Sequence, residues 1–450
     1  MDTDLLQDYL EFVDEVSSDQ TKNTDDFINS MEIIDEQGVD PSRLMTASIG
    51  LSGEVGEFND IVKKCAFQGK EMDEDVVRHL KSELGDVMWY IAQGCMALGT
   101  DIEELIDINS FDEVVKKNVS LVVQKQINTG IDVVSDGEMS KISYATYIKD
   151  RVEGFSGESE RRAPKDLDDF PSFKKKLILS GGTPTYKRPC CTSELKIKDE
   201  ASISKDILNF KNALEENTHR DGFINSPSPG VICNFLPNKF YKNDDEYLEK
   251  LSDIMKFEYE KITESGLSIQ IDCPDLALSR HMIYKDISEK DFLKRANKHV
   301  EVLNNSLSNI DPTKVRMHIC WGNYEGPHTH DIGLDKIIEI AFKANVNKYL
   351  IESANPRHAH EWEVFESIKL PKDKIIIPGV IESTSNFIEH PDVIKHRILA
   401  FSKVVEPNQL MAGTDCGFST FAGYGNVDEE IVYKKLEALV AGAKLASKLI

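Results

Sequence analysis

The chain has 450 residues, of which 40% are hydrophobic and 29% charged, a composition typical of packed globular domains. Its formal net charge of −25 disfavours nucleic acid and anionic membranes as partners, because both repel an acidic surface. A chain of this length predicts two or three domains. There is no membrane-length apolar run and no signal-peptide pattern, and the eight cysteines are irregularly spaced. We therefore expect a cytoplasmic protein whose thiols are free.

The first quarter of the chain is predicted to be helical. Residues 1–40 are expected to form an acidic helical extension, and residues 41–108 a separate helical domain. In this domain apolar residues recur at helical spacing from Pro41 to Val62 and from Val76 to Leu98. Gly99 is a typical helix stop. The second helix is expected to bury one apolar side, made of Leu80, Leu84, Val87, Met88, Ile91 and Met96.

Four acids interrupt the apolar sides of these two helices, as the pairs Glu54/Glu57 and Glu83/Asp86. Residues three apart project from one helix face, and acids that face each other across two helices repel unless a cation joins them. Carboxylates with open positions suit Mg²⁺, which commonly bridges to phosphates. The competing interpretation is a pair of solvated acidic faces. Glycine beside each pair disfavours it, since glycine weakens a helix unless close approach is needed.

Two short stretches carry a family resemblance for this domain. Glu54-Val-Gly-Glu57 and Glu83-Leu-Gly-Asp86, the latter followed by Val-Met-Trp-Tyr, resemble the MazG-like nucleotide pyrophosphohydrolases. The resemblance implies an all-α, usually oligomeric domain that hydrolyses nucleoside triphosphates to monophosphate and pyrophosphate. It implies that the four acids are catalytic and bind Mg²⁺, and that one carboxylate orients the attacking water. A homo-oligomer formed through this domain is the expected assembly.

From residue 109 to residue 450 the pattern alternates between strands and helices. The predicted strands are 131–135, 222–226, 267–272, 314–320, 347–352, 374–381 and 409–414. The helices predicted between and after them are 203–216, 245–265, 288–307, 334–343, 360–367, 392–404 and 428–449. Repeated strand-then-helix units predict a (β/α)₈ barrel, although only seven strands are counted. The charged segment 152–200 is expected to be a surface insert, with Gly181-Gly-Thr-Pro and Cys190-Cys191 within it.

Three of the predicted strands end in side chains that can bind a metal: His318 with Cys320, then Glu352, then Cys416. On a strand, residues i and i+2 face the same way, and the carboxyl ends of barrel strands carry the functional groups. Thiolates, an imidazole and one carboxylate suit tetrahedral zinc. A thiol that binds zinc loses its proton and becomes a nucleophile for carbon.

Other residues of the barrel half are competing ligands. The pairs His328/His330 and His358/His360 lie in predicted loops beside prolines, and Cys273 lies near the expected barrel mouth. We expect the histidines to line the pocket and Cys273 to be a weak alternative ligand.

Several stretches give residues 109–450 a second resemblance, to the catalytic barrel of cobalamin-independent methionine synthase. More narrowly, the chain resembles the stand-alone bacterial branch that includes epoxyalkane:coenzyme M transferase relatives. The stretches are Gly130-Ile-Asp-Val-Val-Ser-Asp-Gly-Glu138, Ser226-Pro-Ser-Pro-Gly-Val-Ile232, Gln270-Ile-Asp-Cys-Pro-Asp275, His318-Ile-Cys-Trp-Gly-Asn-Tyr-Glu-Gly-Pro327, Glu352-Ser-Ala-Asn-Pro-Arg357 and Gly413-Thr-Asp-Cys-Gly-Phe418.

This resemblance implies zinc-dependent transfer of a methyl or alkyl group to a homocysteine-like thiol, with a small-molecule donor as second substrate. The implied zinc ligands are His318, Cys320, Glu352 and Cys416. For the substrate, the resemblance implies that Glu138 and Asp272 hold the amino end and that Asp136 is a nearby pocket residue.

The chain departs from this family at one point. Its members open with a strand that carries a Gly-Ser-x-Pro-Arg motif, and nothing similar precedes Gly130. The MazG-like segment stands in its place, which agrees with the count of seven strands. We therefore predict a barrel without its first strand. Two alternative functions stay open: only the helical half is active and the barrel is a degenerate binding module, or the barrel is an epoxide:thiol transferase.

Overall fold

The computed structural model of the protein describes residues 3–102, 111–160, 162–179, 188–217, 221–425 and 427–450. The chain divides into two compact units, Met1–Val114 and Val115–Ile450. The predicted domain boundary at 108/109 lies outside the described residues, as does the Gly181-Gly-Thr-Pro stretch. Among the described helices, none is both long and apolar enough to cross a membrane.

The first unit is helical, as predicted. Its helices are Thr3–Val16, Asp19–Lys22, Thr24–Glu36, Pro41–Gln68 and Glu74–Leu98. Both long helices have well-formed ends. The side chains of Asp40 and Asp73 accept backbone N–H groups at the two N-termini, which compensates for donors without a helical partner. Gly69 and Gly99 adopt the left-handed conformation that ends each helix, with φ of 73° and 66°.

The prediction that one side of the second long helix is buried is only partly right. Leu84, Met88 and Met96 are 52%, 49% and 58% exposed, and Trp89 beside them is 54% exposed. A hairpin of two helices covers only the faces that the helices turn towards each other. The apolar residues on the remaining face of this helix are therefore exposed.

The second unit is built on an open parallel sheet. Its seven strands, in sheet order, are β1 Val133–Ser135, β4 Asp221–Pro227, β5 Ser268–Asp272, β6 Val315–Ile319, β7 Lys348–Ile351, β8 Ile375–Ile381 and β9 Gly413–Thr414, and every neighbouring pair is parallel. All seven lie where the sequence predicts a strand. Among the described residues β1 and β9 are edges that do not pair with each other, so the sheet does not close into an eight-stranded barrel.

Helices of this unit connect the strands, near the predicted positions. The α-helices are Phe111–Thr129, Ile148–Arg151, Lys165–Asp169, Pro171–Leu179, Ala201–Glu216, Pro229–Phe235, Asp244–Glu264, Ser279–Met282, Glu289–Ser306, Leu334–Ala341, Val364–Ser367, Pro391–Phe401 and Glu429–Ala446. Short 3₁₀ turns lie at Pro274–Leu276, Pro312–Lys314, Glu361–Glu363 and Pro407–Gln409. A two-stranded sheet joins β10 Ser419–Phe421 to β11 Tyr424–Gly425.

The central strands are buried on both faces, as expected for a parallel sheet that helices cover. Every residue of β6 is buried, and β5 is buried from its second residue onwards. This burial brings the polar side chains of these strands into a water-poor interior, where they need a partner or a ligand.

The segment 152–200 is not simply a surface insert. It contains the antiparallel strands β2 Val152–Ser159 and β3 Arg188–Ile197, and Cys190 and Cys191 are completely buried. Asp166, also completely buried, accepts hydrogen bonds from the Tyr324 hydroxyl at 2.6 Å and the His328 backbone N–H at 2.9 Å. The charge content of the segment concealed these contacts, because its few inward-facing residues are dispersed along the sequence.

Candidate active site

Three of the predicted metal ligands meet at the carboxyl ends of neighbouring strands. His318 lies on β6, Cys320 follows that strand, and Cys416 follows β9. Their ligand atoms all lie within 4.8 Å of one another, and the two sulfur atoms are 4.0 Å apart. All three side chains are buried, and neither ring nitrogen of His318 has a hydrogen-bond partner among the described residues. The cluster therefore offers two sulfurs and an uncommitted imidazole to a metal ion.

Glu352, the fourth predicted ligand, lies next to this group without joining it. Its Oε1 accepts the Trp321 backbone N–H at 2.9 Å, and its Oε2 accepts the Asn355 side-chain amide at 3.1 Å. The carboxylate is 4% exposed and lines a cavity of about 280 Å³ together with Cys416. Both oxygens of Glu352 are thus engaged with protein donors, and the group of mutually close ligand atoms does not include it.

The cluster opens into a large cavity of about 1800 Å³. Its wall contains His318, Cys320 and Cys416, together with the predicted substrate-binding acids Glu138 and Asp272. Asp272 is the last residue of β5 and pairs in register with His318, so it lies at the height of the metal-ligand cluster. The structure thus gathers a thiol-rich group and two carboxylates around one space.

Asp136 does not line this cavity, in contrast to the prediction. It is 2% exposed, and its Oδ1 accepts the Glu138 backbone N–H at 3.0 Å. The residues of β1 that do line the cavity are Val133 and Ser135, and side chains alternate along an extended chain, so Asp136 faces the other way. Its role is to hold the loop that carries Glu138.

Both cavity acids are difficult to ionise in this environment. Burial raises the pKa of Glu138 to about 7, with repulsion from Asp272 adding to the effect and Lys141 opposing it. Burial likewise raises the pKa of Asp272. Glu138 also has a positive φ of 55°, which is uncommon for a residue other than glycine. A strained, poorly solvated carboxylate is well prepared to accept a cationic group from a ligand.

Two cations at the cavity were not singled out from the sequence. Lys141 is fully buried at its side chain and lies over the Tyr147 ring, with its Nζ 3.9 Å from Glu138 Oε1. Arg316 lines the cavity two residues before His318 on β6. The alternation of side chains along a strand was the available signal for Arg316, since residues i and i+2 face the same way.

The predicted pocket histidines separate into two groups. His328 and His358 form a buried network with Asp331, in which His328 Nδ1 and His358 Nε2 lie 2.8 Å and 2.9 Å from Asp331 Oδ2. His281 Nε2 lies 3.1 Å from the other oxygen of Asp331. Although burial opposes it, contact with these histidines holds the pKa of Asp331 well below its usual value. Only His328 borders a cavity of the site, the smaller one that Glu352 also lines.

The remaining histidine and cysteine alternatives lie elsewhere. His330 is near the surface beside Asp169, and His360 is exposed. Cys273 is buried, and its Sγ donates to the Ile271 carbonyl at 3.7 Å, outside the ligand cluster. These residues therefore do not compete for the metal-binding position.

In the helical unit, three of the four predicted acids come together. Ligand atoms of Glu54, Glu57 and Glu83 lie within 4.8 Å of one another, whereas Asp86 is exposed and outside this group. Glu83 is 5% exposed and its Oε1 lies 2.9 Å from His79 Nε2. The pKa of Glu54 is raised by partial burial, by a hydrogen bond with Glu83 and by repulsion from the neighbouring acids. The helical unit therefore brings three carboxylates of the two predicted pairs to one place.

Comparison with known proteins identifies the family of the larger unit. Residues 100–444 match the model described as "Cobalamin-independent synthase, Catalytic domain". The chain belongs to this family. It is 24% identical over 331 residues to a methionine synthase of Saccharolobus islandicus, an alignment that covers 73% of this chain and 82% of the relative. A methionine synthase of Sulfurisphaera tokodaii is 24% identical over 321 residues, which cover 70% of this chain and 77% of the relative.

A solved structure extends the comparison to the fold. A B12-independent methionine synthase from a Shewanella species, in complex with selenomethionine, superposes with a TM-score of 0.58 and 20% identity. The match covers 78% of this chain and 90% of that structure. At 20% identity this likeness shows a shared fold alone.

Proposed function

We propose that the barrel unit transfers a methyl or alkyl group to the thiol of a homocysteine-like amino acid, as a zinc-dependent enzyme of the methionine synthase type. The observation that carries this proposal is the buried cluster of His318, Cys320 and Cys416 beside a cavity lined by Glu138 and Asp272. Membership of the cobalamin-independent synthase family supports it.

The chemistry of the cluster fits zinc. Two thiols and one imidazole are characteristic ligands of this ion, and a fourth position remains for Glu352 or for a substrate sulfur. When bound, zinc would supply the positive charge that lets a substrate thiol ionise near neutral pH. The unpartnered ring nitrogens of His318 support this assignment, because a buried imidazole without a hydrogen bond is costly unless it binds something.

The protein groups around the cluster orient the other parts of the reaction. Glu138 and Asp272 would hold the ammonium group of the amino acid, since both are carboxylates in a poorly solvated part of the cavity wall. Asp415 accepts backbone N–H groups from Ser353, Ala354 and Asn355 at 2.6–2.8 Å. It thereby holds the loop that starts at Glu352 in place next to the metal ligands.

The test combines metal content with turnover. Purified wild-type protein is expected to contain close to one zinc per barrel, and Cys416→Ala should lose both the zinc and methionine formation from L-homocysteine with a panel of methyl donors. Cys233→Ala is the matched control, because Cys233 is a buried barrel cysteine that does not line the cavity. A folded wild-type protein without zinc would refute the assignment. Thiol-dependent consumption of an epoxide, without methionine formation, would favour the epoxide:thiol transferase.

We also propose, for the helical unit, Mg²⁺-dependent hydrolysis of nucleoside triphosphates to monophosphate and pyrophosphate. The convergence of Glu54, Glu57 and Glu83 supports this proposal, because a divalent cation would relieve their mutual repulsion and bind the substrate phosphates. Asp86 would join from the exposed side of the same helix as Glu83. The exposed apolar face around Leu84 supports assembly into a homo-oligomer through this unit.

Pyrophosphate release from a panel of nucleoside triphosphates tests this second activity. Glu57→Ala should abolish pyrophosphate release. Glu71→Ala is the control and should not change it, because Glu71 is an exposed acid outside the cluster. If wild-type protein releases no pyrophosphate in the presence of Mg²⁺, the proposed hydrolysis is wrong and the helical unit serves assembly alone. Light scattering of the same samples measures the oligomeric state, and a monomer at micromolar concentration would contradict the proposed assembly.

A further inference from the structure

The cavity wall contains a buried cation, Arg316, for which the described part of the chain offers no hydrogen-bond or ion-pair partner. Arg316 is 8% exposed, and its side chain makes no hydrogen bond or ion pair with any residue that the structure describes. Its guanidinium carbon lies 3.9 Å from the centre of the Phe223 ring, so one face of the group is covered by the aromatic ring. An arginine removed from water and left unpaired is costly, which points to a ligand that neutralises it.

The position of Arg316 relates it directly to the metal-ligand cluster. Arg316 and His318 both line the cavity and are two residues apart on β6. Their positions are therefore about 7 Å apart along the strand. On the neighbouring strand, Gln270 pairs with Arg316 and Asp272 with His318. The cavity wall therefore has an upper layer with the metal ligands and an acid, and a lower layer with the arginine.

The unpaired charges of the cavity have opposite signs. Glu138 Oε1 accepts no hydrogen bond from the described residues, and the Oε1 atom of Gln270 is equally unpartnered. Lys141, whose Nζ lies 3.9 Å from Glu138 Oε1, donates a hydrogen bond to the Asn225 carbonyl. A carboxylate whose nearby lysine also binds a backbone carbonyl, and a guanidinium without an ion pair among the described residues, match a zwitterion better than they match a simple anion or cation.

We propose that Arg316 binds the carboxylate of an α-amino-acid thiol whose ammonium group contacts Glu138 and Asp272. This inference rests on the proposed thiol-transfer function, and it assigns the acid-binding group of the substrate site. A four-carbon amino-acid thiol spans about 5 Å from sulfur to carboxylate, which suits a sulfur at the upper layer and an acid group at the lower layer. The planar guanidinium offers a carboxylate two parallel N–H donors, which a lysine cannot do.

Binding measurements on the zinc-loaded, full-length protein test this proposal. In calorimetric titrations, wild-type protein should bind L-homocysteine about 10- to 100-fold more tightly than L-homocysteinamide, which keeps the thiol and the amine but has no carboxylate. In Arg316→Gln this preference should disappear, because homocysteine binding weakens while amide binding stays the same. Arg316→Lys should retain part of the preference, since it keeps the charge and loses the two-point geometry. Arg295→Gln is the matched control, because Arg295 pairs with Asp245 outside the cavity.

The outcomes separate the two levels of the proposal. If wild-type protein binds the acid and the amide equally well, the role of Arg316 is refuted while thiol binding stands. If Arg316→Gln retains the preference for the acid, another group binds the carboxylate and the assignment is wrong. If zinc-loaded wild-type protein binds neither compound, the thiol-transfer function fails as well. The comparison of the two ligands on wild-type protein needs no variant, so it is decisive even if Arg316→Gln does not fold.

Discussion

Replacement of Glu138 by glutamine should stabilise the protein and weaken substrate binding at the same time. Burial raises the pKa of this carboxyl from 4.5 to about 7. Each pKa unit corresponds to about 1.4 kcal/mol, so the ionised carboxylate costs the folded protein about 3 kcal/mol. Glutamine has the same shape and carries no charge, and it therefore avoids this cost.

The pH dependence of the effect follows from the direction of the shift. Because the pKa is raised on folding, the folded protein binds the proton more tightly than the unfolded chain does. The contribution of this group to the free energy of unfolding is therefore largest below about pH 4.5, decreases as the pH rises to about 7, and stays low above that. Glu138→Gln should match wild type at pH 4 and exceed it by up to about 3 kcal/mol at pH 8.

Urea unfolding at several pH values, followed by tryptophan fluorescence, measures the stability difference. The same variant should bind L-homocysteine up to about 100-fold more weakly at pH 8, and should bind 4-mercaptobutanoate, which lacks the amine, as wild type does. Equal stability at pH 8 together with unchanged homocysteine binding would show that Glu138 is neither destabilised by its charge nor in contact with the substrate amine.

Three further predictions concern the framework of the site. Arg151→Met leaves Glu258 and Asp206 buried without their shared cation, and should lower the free energy of unfolding by about 3–5 kcal/mol in urea titrations. Asp415→Asn replaces an acceptor oxygen of the group that holds the loop at Glu352 with an amide donor, and should weaken zinc binding about 10- to 100-fold in chelator competition while the circular dichroism spectrum stays unchanged. Phe210→Ala empties a completely buried core position and should cost about 3–5 kcal/mol of stability without changing zinc content; a smaller loss would mean that the core collapses into the space.

Local patterns were sufficient for the framework of this protein. All seven sheet strands and the end of the second long helix at Gly99 were predictable, because strand alternation, helical spacing and terminal glycines act within a few residues. The meeting of His318, Cys320 and Cys416 was also predictable, since the carboxyl ends of parallel strands lie on one edge of the sheet.

The direction of individual side chains was decided by the tertiary structure. Glu352 satisfies the Trp321 N–H instead of joining the cluster, and Asp136 faces away from the cavity because it alternates with Ser135. The apolar residues around Leu84 match a buried helix side in sequence, yet Leu84, Met88 and Met96 are exposed.

The sequence by itself therefore determined which chemical groups end up at the strand ends. Only the tertiary structure decided which of those groups have hydrogen-bond partners and which atoms, such as Arg316 Nε and Glu138 Oε1, have none among the described residues. The physical reason is that periodicity acts along one strand or helix, whereas the neutralisation of a buried charge depends on residues far apart in the chain.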